Sequence, residues 1–265
     1  MILEIVHAVQ KLNFTQCILI VPAGLALVVM ALPALRKRLG IEANSELTDS
    51  AGEAFGAIAL FFVFMTASSL STVQGFQKDG QKVTETEVAH IANLDRELVS
   101  IGGDKAESVR VELKNYLQLI IEKEWKELEH GNSSEEVDHA LGSVISSVHH
   151  WKEAGISEKN YDEIHNRLEL MTDSRDERIE VSNEHLSMIY WGIIFAFMLM
   201  LLVIAFFSNP VLPKRVGLAG KMIALGFSLV LLIQTDGVFS GEIAVQPTLY
   251  KNALAKMKVR SADSE

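Results

Sequence analysis

Apolar and polar positions follow two rhythms along this chain. In the first, apolar residues occupy every side of a helix, as in stretches 15–35, 51–73 and 186–213. A run of about 20 apolar residues, rising about 1.5 Å each, crosses a hydrocarbon layer about 30 Å thick. The third stretch has no Asp, Glu, Lys or Arg and reads IIFAFMLMLLVIAFF at its centre. A fourth is free of charge only from Met222 to Thr235. It reaches membrane thickness when it begins near Val216 and Lys221 stretches its ammonium towards water. Gly217, Gly220 and Gly226 on it favour close helix contact. Four membrane spans are predicted.

In the second rhythm, apolar residues recur every three or four positions among charges, the mark of an amphipathic helix. Val73, Phe76, Val83, Val88, Ile91, Leu94 and Leu98 carry the second span onward into water, through Gly75 and Gly80, which weaken a helix, to Gly102-Gly103, which end it. A helix is predicted from Asp104 or Lys105 to about His130, with Val109, Leu113, Tyr116, Leu117, Ile120, Ile121, Trp125 and Leu128 buried. Another follows at 135–154. From 158 to 208 no Pro, and no Gly before Gly192, interrupts the pattern, so a single helix is predicted to begin in water, capped by Ser157, and end in lipid. Residues 2–10 read as an interfacial helix and 248–258 as a final amphipathic one. The expected organisation is an interfacial helix at 1–14, spans one and two within 15–75, a helical bundle at 76–186, spans three and four within 187–235, and a C-terminal segment at 236–265. The fold class is an all-α integral membrane protein whose stalk helices continue its spans.

Charge sharpens this picture. Residues 76–187 carry 13 Lys and Arg against 25 Asp and Glu, a formal −12, while the remainder of the chain is +2. An acidic bundle disfavours nucleic acid and anionic lipid surfaces as partners. The two short connections on the side away from the bundle hold Arg36, Lys37, Arg38, Lys214 and Arg215. The positive-inside rule therefore places the bundle and both termini on the extracytoplasmic side of a bacterial-type inner membrane. The start of the chain lacks a secretory cleavage pattern and is read as a retained anchor. Cys17 is the lone cysteine, so no disulfide within the chain is expected.

Candidate chemistry is sparse. No P-loop, HExxH, nucleophile elbow or paired CxxC is present, and neither enzyme activity, a cofactor nor a metal site is expected. Seven of the eight histidines lie in the bundle, but the pairs Asp138-His139 and His149-His150 diverge on a helix and read as surface groups. Inside the second span, Glu53 is a carboxylate near membrane depth. It either marks an ion path or complements the dipole of the first turn. Thr66, Ser69 and Thr72 belong to a hydroxyl-rich half of that span, and either line a pore or bond between helices. Phe61 and Phe64 are candidates for a hydrophobic constriction or for aromatic packing.

Several of these stretches also resemble a known family. A span ending in small and hydroxyl residues, the stalk TETEVAHIANLDREL at 84–98, Leu113-x-x-Tyr116 with Glu124-Trp125, the long charged helix into span three, and Asp236-Gly237-Val238-Phe239-Ser240-Gly241-Glu242-Ile243 are similar to the bestrophin-like membrane proteins. The resemblance runs from about Ala51 to Val245, with Val238 where the family has proline. It implies a homo-oligomer in the lipid bilayer with a central path for inorganic ions along the second span, and with Phe61 and Phe64 at the constriction. Bestrophins conduct anions, whereas the acidic bundle here predicts a potential that favours cations.

Two readings stand after the sequence. One is an oligomeric ion channel lined by Glu53, Phe61, Phe64, Thr66, Ser69 and Thr72. The other is a membrane-anchored interaction or sensor protein whose acidic bundle binds a partner. They differ in where the hydroxyls point: towards a shared axis, or between helices of one subunit.

Overall fold

A computed structural model describes residues 9, 12–41, 45–153, 157–208 and 211–262. Most of the expected interfacial helix at 2–10 lies outside them. The described residues form α1 (Phe14–Arg38), α2 (Ser45–Ile101), α3 (Gly103–Leu119), a π-helical turn (Ile120–Glu124), α4 (Trp125–Leu128), α5 (Glu135–Glu153), α6 (Glu158–Ser182), α7 (Met188–Phe207), α8 (Leu212–Thr235) and α9 (Thr248–Ala262). By length and composition, four helices can cross a membrane: α1, α2 from Ser50, α7 and α8. The chain divides into two compact units.

The first unit comprises residues 1–75, 185–236 and 241–243. Its core joins Val29, Phe55, Phe62, Val73, Trp191, Ile194, Leu201, Leu225 and Ile233. The α1 and α8 helices run against each other, and Gly226 makes this approach feasible, since a Cβ there would stand 2.9 Å from the Pro22 Cα. Pro22 and Pro33 both lie inside α1 without ending it. Buried Arg36 donates from Nη1 to the Phe206 and Ser208 carbonyls at 3.3 Å each, satisfying carbonyls that the end of α7 leaves open. The α8 helix starts at Leu212, four residues before the expected Val216, with Pro213 in its first turn, where a missing N–H costs nothing. Lys221 places its ammonium 5.8 Å from the Phe55 ring centroid, a cation–π contact rather than a simple reach for water.

The second unit comprises residues 76–184, 237–240 and 244–265. Its core gathers Ile91, Leu94 and Leu98 of α2, Val109, Leu113 and Tyr116 of α3, Val144 and Val148 of α5, Ile164, Leu168 and Met171 of α6, and Tyr250 and Met257 of α9. This is the expected helical bundle, with the C-terminal helix added to it.

One expectation holds and one changes. The α2 helix passes through Gly75 and Gly80 without a break and spans 57 residues. The predicted single helix from 158 to 208 is in fact two. The α6 helix ends at Ser182, Asn183 caps it with φ −88° and ψ −1°, and α7 starts only at Met188. Polar side chains rather than glycine or proline make the break. Ser187 caps α7 by accepting the Ile189 N–H at 3.3 Å, and Asp236 accepts the Leu186 N–H at 2.8 Å and the Trp191 indole N–H at 2.9 Å. The Asn183 amide donates to the Ile179 and Gly131 carbonyls at 3.1 Å each. The stalk that follows span two is therefore continuous with it, and the one that leads to span three is not.

Candidate functional site

In its membrane half, α2 packs one face and leaves the other open. Phe55, Phe62, Thr66, Ser69 and Val73 are buried, at offsets of 7, 11, 14 and 18 that share one side of a 3.6-residue helix. The opposite side carries Glu53, Leu60, Phe61, Phe64, Ser68, Ser71 and Thr72, all exposed. Phe61 is 60% and Phe64 69% exposed, so neither serves this subunit's core, which Phe55 and Phe62 fill instead.

The candidate hydroxyls fall on both faces. Thr66 and Ser69 point into the packed side. The Thr66 hydroxyl donates to the Phe62 carbonyl and lies 3.3 Å from that of Val63. The buried Ser69 Oγ finds no hydrogen-bond partner among the described residues. Thr72 stays on the open face and donates to the Ser68 carbonyl at 3.3 Å. The exposed hydroxyls are therefore Ser68, Ser71 and Thr72, the first two absent from the sequence candidates. Helical phase relative to Phe55 and Phe62 was the signal that could have found them.

The open face of α2 differs in kind from that of α7. Exposed positions of α7 include Met188, Ile189, Ile193, Leu199, Met200 and Val203, a surface suited to hydrocarbon. The α2 face adds to its aromatic rings three hydroxyls and one carboxylate, polar groups that hydrocarbon solvates poorly.

The second unit holds a buried ionic cluster that the sequence did not reveal. Arg178, fully buried, donates from Nε to Glu87 Oε2 and from Nη2 to Glu124 Oε2, both at 2.6 Å. Arg175 pairs with Glu124 on one side and with Asp138 at 2.6 Å on the other. The Tyr116 and Tyr250 hydroxyls donate to Glu87 at 3.1 and 2.6 Å. Arg178 also stands 5.5 Å from the Tyr250 ring and 5.9 Å from that of Trp125. The π-helical turn is what brings Glu124 inside: the buried stripe shifts there, leaving Ile121 only half-buried and Glu124 fully buried. Burial works against the Glu124 carboxylate, but Arg178 and Arg175 outweigh it and hold its pKa below the ordinary value. Burial, followed by Glu87, pushes the Tyr250 phenol well up. The carboxylates of Glu87 and Glu124 are both engaged by Arg178, while Arg178 Nη1 and the Trp125 indole N–H find no hydrogen-bond partner among the described residues.

Of the described histidines, His149 and His165 meet around Tyr161, their ring centroids 5.5 Å apart. His149 Nδ1 lies 3.0 Å from the Tyr161 hydroxyl, and His165 stacks on the Tyr161 ring. His139 and His150 sit at separate turns of a shallow polar groove of about 500 Å³ that also includes Glu112 and Ser143. Among the described residues no group of three or more His, Cys, Asp or Glu is placed to hold a metal ion.

A family model for the bestrophin-like domain matches residues 23–250. The chain belongs to the bestrophin-like family. The bestrophin-like fold is shared with solved structures. A bacterial bestrophin homologue from Klebsiella pneumoniae aligns at a TM-score of 0.66 with 12% identity, over 93% of this chain and 99% of the other. A variant of that Klebsiella protein aligns at 0.63 with 13% identity, over 92% and 98%. A crystal structure of a variant described only as a membrane protein aligns at 0.65 with 11% identity, over 92% and 97%. No curated protein sequence matches this chain.

Proposed function

We propose that this bestrophin-like chain forms a homo-oligomeric ion channel in which the open face of α2 lines a central path. The observation that carries the proposal is the composition of that face. Phe61 and Phe64 stand free of the subunit core and form the narrow, dewetting part. Ser68, Ser71 and Thr72 continue the path with hydroxyls, and Glu53 lies at its other end. Thr66 and Ser69 support the lining helix from behind. The formal −12 of residues 76–187 gives the path a potential that favours cations. The positive charge of the two short connections supports a reading with the bundle on the extracytoplasmic side of a bacterial-type inner membrane.

Planar-bilayer recording of the purified protein in asymmetric salt tests this. Phe64→Ala and Phe61→Ala are expected to raise unitary conductance, and Ser69→Ala to leave it unchanged. A reversal potential on the cation side supports the charge argument, and one on the anion side refutes it. A folded protein that stays silent across voltage, pH and calcium would favour the second reading, a membrane-anchored interaction or sensor protein, which the packed Thr66 and Ser69 also suit.

A further inference from the structure

The C-terminal helix α9 runs against the charge of its unit. Between Thr248 and Ala262 it has Lys251, Lys256, Lys258 and Arg260 and no Asp or Glu. Tyr250, Ala253, Leu254 and Met257 are buried in the bundle, and Arg260 is held by Asp95 at 2.8 Å. The outer face shows Lys251, Asn252, Ala255, Lys256, Lys258 and Val259, all exposed, with Val259 62% exposed. Among the described residues none of these three lysines makes an ion pair.

The outer face of α6 is the reverse. Its exposed positions from 162 to 180 include Asp162, Glu169, Asp173, Asp176, Glu177 and Glu180 and no Lys or Arg. None of these six carboxylates is paired among the described residues. The helix's own arginines are engaged elsewhere, Arg167 with Glu163 and Arg175 and Arg178 with the buried cluster. Near the end of this face the Glu184 carboxyl is pushed up by burial, then by Asp79 and Glu180, as expected where negative charge lacks a counterpart. Leu170, 41% exposed, lies among the carboxylates as Val259 lies among the lysines.

We propose that the basic outer face of α9 docks on the acidic outer face of α6 in a second copy of this chain, with Val259 against Leu170. The proposal rests on the oligomer of the proposed function and names its contact. A closed ring needs a head-to-tail interface built from two different, complementary patches on each subunit, and these two faces are such a pair. Acidic units brought together would otherwise repel one another, and the α9 lysines supply the missing positive charge at the contact. The α9 patch, about 12 Å long at about 1.5 Å per residue, fits within the acidic face, which is about 27 Å long.

The test uses full-length chains with two different affinity tags, one carrying Val259→Cys and the other Leu170→Cys, co-expressed and purified through both tags in detergent. Cys17 is buried, and each chain then has one exposed cysteine, so at the proposed contact a short bismaleimide joins position 259 of one chain to position 170 of the other, and the two tags separate this product from any cross-link between like chains. A cross-linked heterodimer is expected. Adding K251E/K258E to the first chain should cut its yield about tenfold, as like charges now face each other, and adding D173K/E177K to the second should restore it. Monomeric protein overturns both the oligomer and this contact. An oligomer of confirmed mass with no cross-link, or with a yield indifferent to charge reversal, overturns the contact alone. So does a loss of binding to anionic vesicles in K251E/K258E without any cross-link, which would assign α9 to lipid headgroups. A silent protein that still cross-links sinks the channel and keeps the interface.

Discussion

Between Phe55 and Val73, α2 turns Thr66 and Ser69 into its packed face, where the first bonds to its own backbone and the second finds no partner among the described residues. Between Val83 and Leu98 the packed face of the same helix carries Glu87 and Asp95, both fully buried. These reach Arg178, Tyr116 and Tyr250 in one case and Arg110 and Arg260 in the other. The membrane half therefore packs by shape and asks little of its neighbours chemically, whereas the bundle half is fixed to three other helices by charge. Specificity in the bundle half is internal, and the chemistry of the membrane half lies on its open face.

Removing a charge from the bundle half should break that side of the comparison most severely. Arg178→Met would leave Glu87 and Glu124 buried with less counter-charge, a change that costs about 3–5 kcal/mol, measured by thermal unfolding of the full-length protein in detergent. The triple variant R178M/E87Q/E124Q should recover part of the loss, and an Arg178→Met protein within about 1 kcal/mol of wild type would show the cluster to be energetically idle. Acid titration adds a signed check. The folded pKa of Glu124 is below its ordinary value, so its contribution is complete above the unfolded carboxylate pKa and is lost as pH falls through the depressed one. In Arg178→Met the opposing effect of burial gains weight, and the acid loss should begin at higher pH than in wild type.

A smaller effect separates the halves at two glycines. A Cβ on Gly80 would overlap Val238 Cγ1, while one on Gly75 meets nothing within 4 Å. Gly80→Ala is expected to destabilise by about 1–3 kcal/mol through overpacking. Gly75→Ala is expected to stabilise by up to about 1 kcal/mol, the helix-propensity gain of alanine over glycine. Equal shifts in melting temperature for the two variants would contradict the distinction.

Most of the fold was legible because long apolar runs and 3.6-residue stripes read the same way in water and in lipid. The spans, the Gly102-Gly103 turn and the bundle helices all follow from that rhythm. What escaped depends on contacts far apart in sequence. Glu124 resembles any charged surface residue until the π-helical turn rotates it inwards. Gly80 looks like a weak point in a helix until Val238 is found against it. Of the pore candidates, Phe61, Phe64, Thr72 and Glu53 lie on the open face and Thr66 and Ser69 do not. Their hydroxyl chemistry drew attention, and only the phase relative to Phe55 and Phe62 separates the two groups.

The mildest perturbation concerns the break between α6 and α7, which contrasts with the unbroken passage of α2. Residues 183–187 contain neither glycine nor proline, and intrinsic propensity alone would let the helix run on. The interruption is held by Ser187 at the start of α7 and by Asp236, which takes the Leu186 N–H and the Trp191 indole together. Ser187→Ala removes one cap and should cost about 1 kcal/mol, seen as faster amide exchange at Ile189. Asp236→Asn keeps the shape but supplies one carbonyl acceptor where the carboxylate had two oxygens, so either the Leu186 N–H or the Trp191 indole loses its partner and the indole fluorescence should change. If both variants exchange as slowly as wild type, side-chain capping is not what divides the helix.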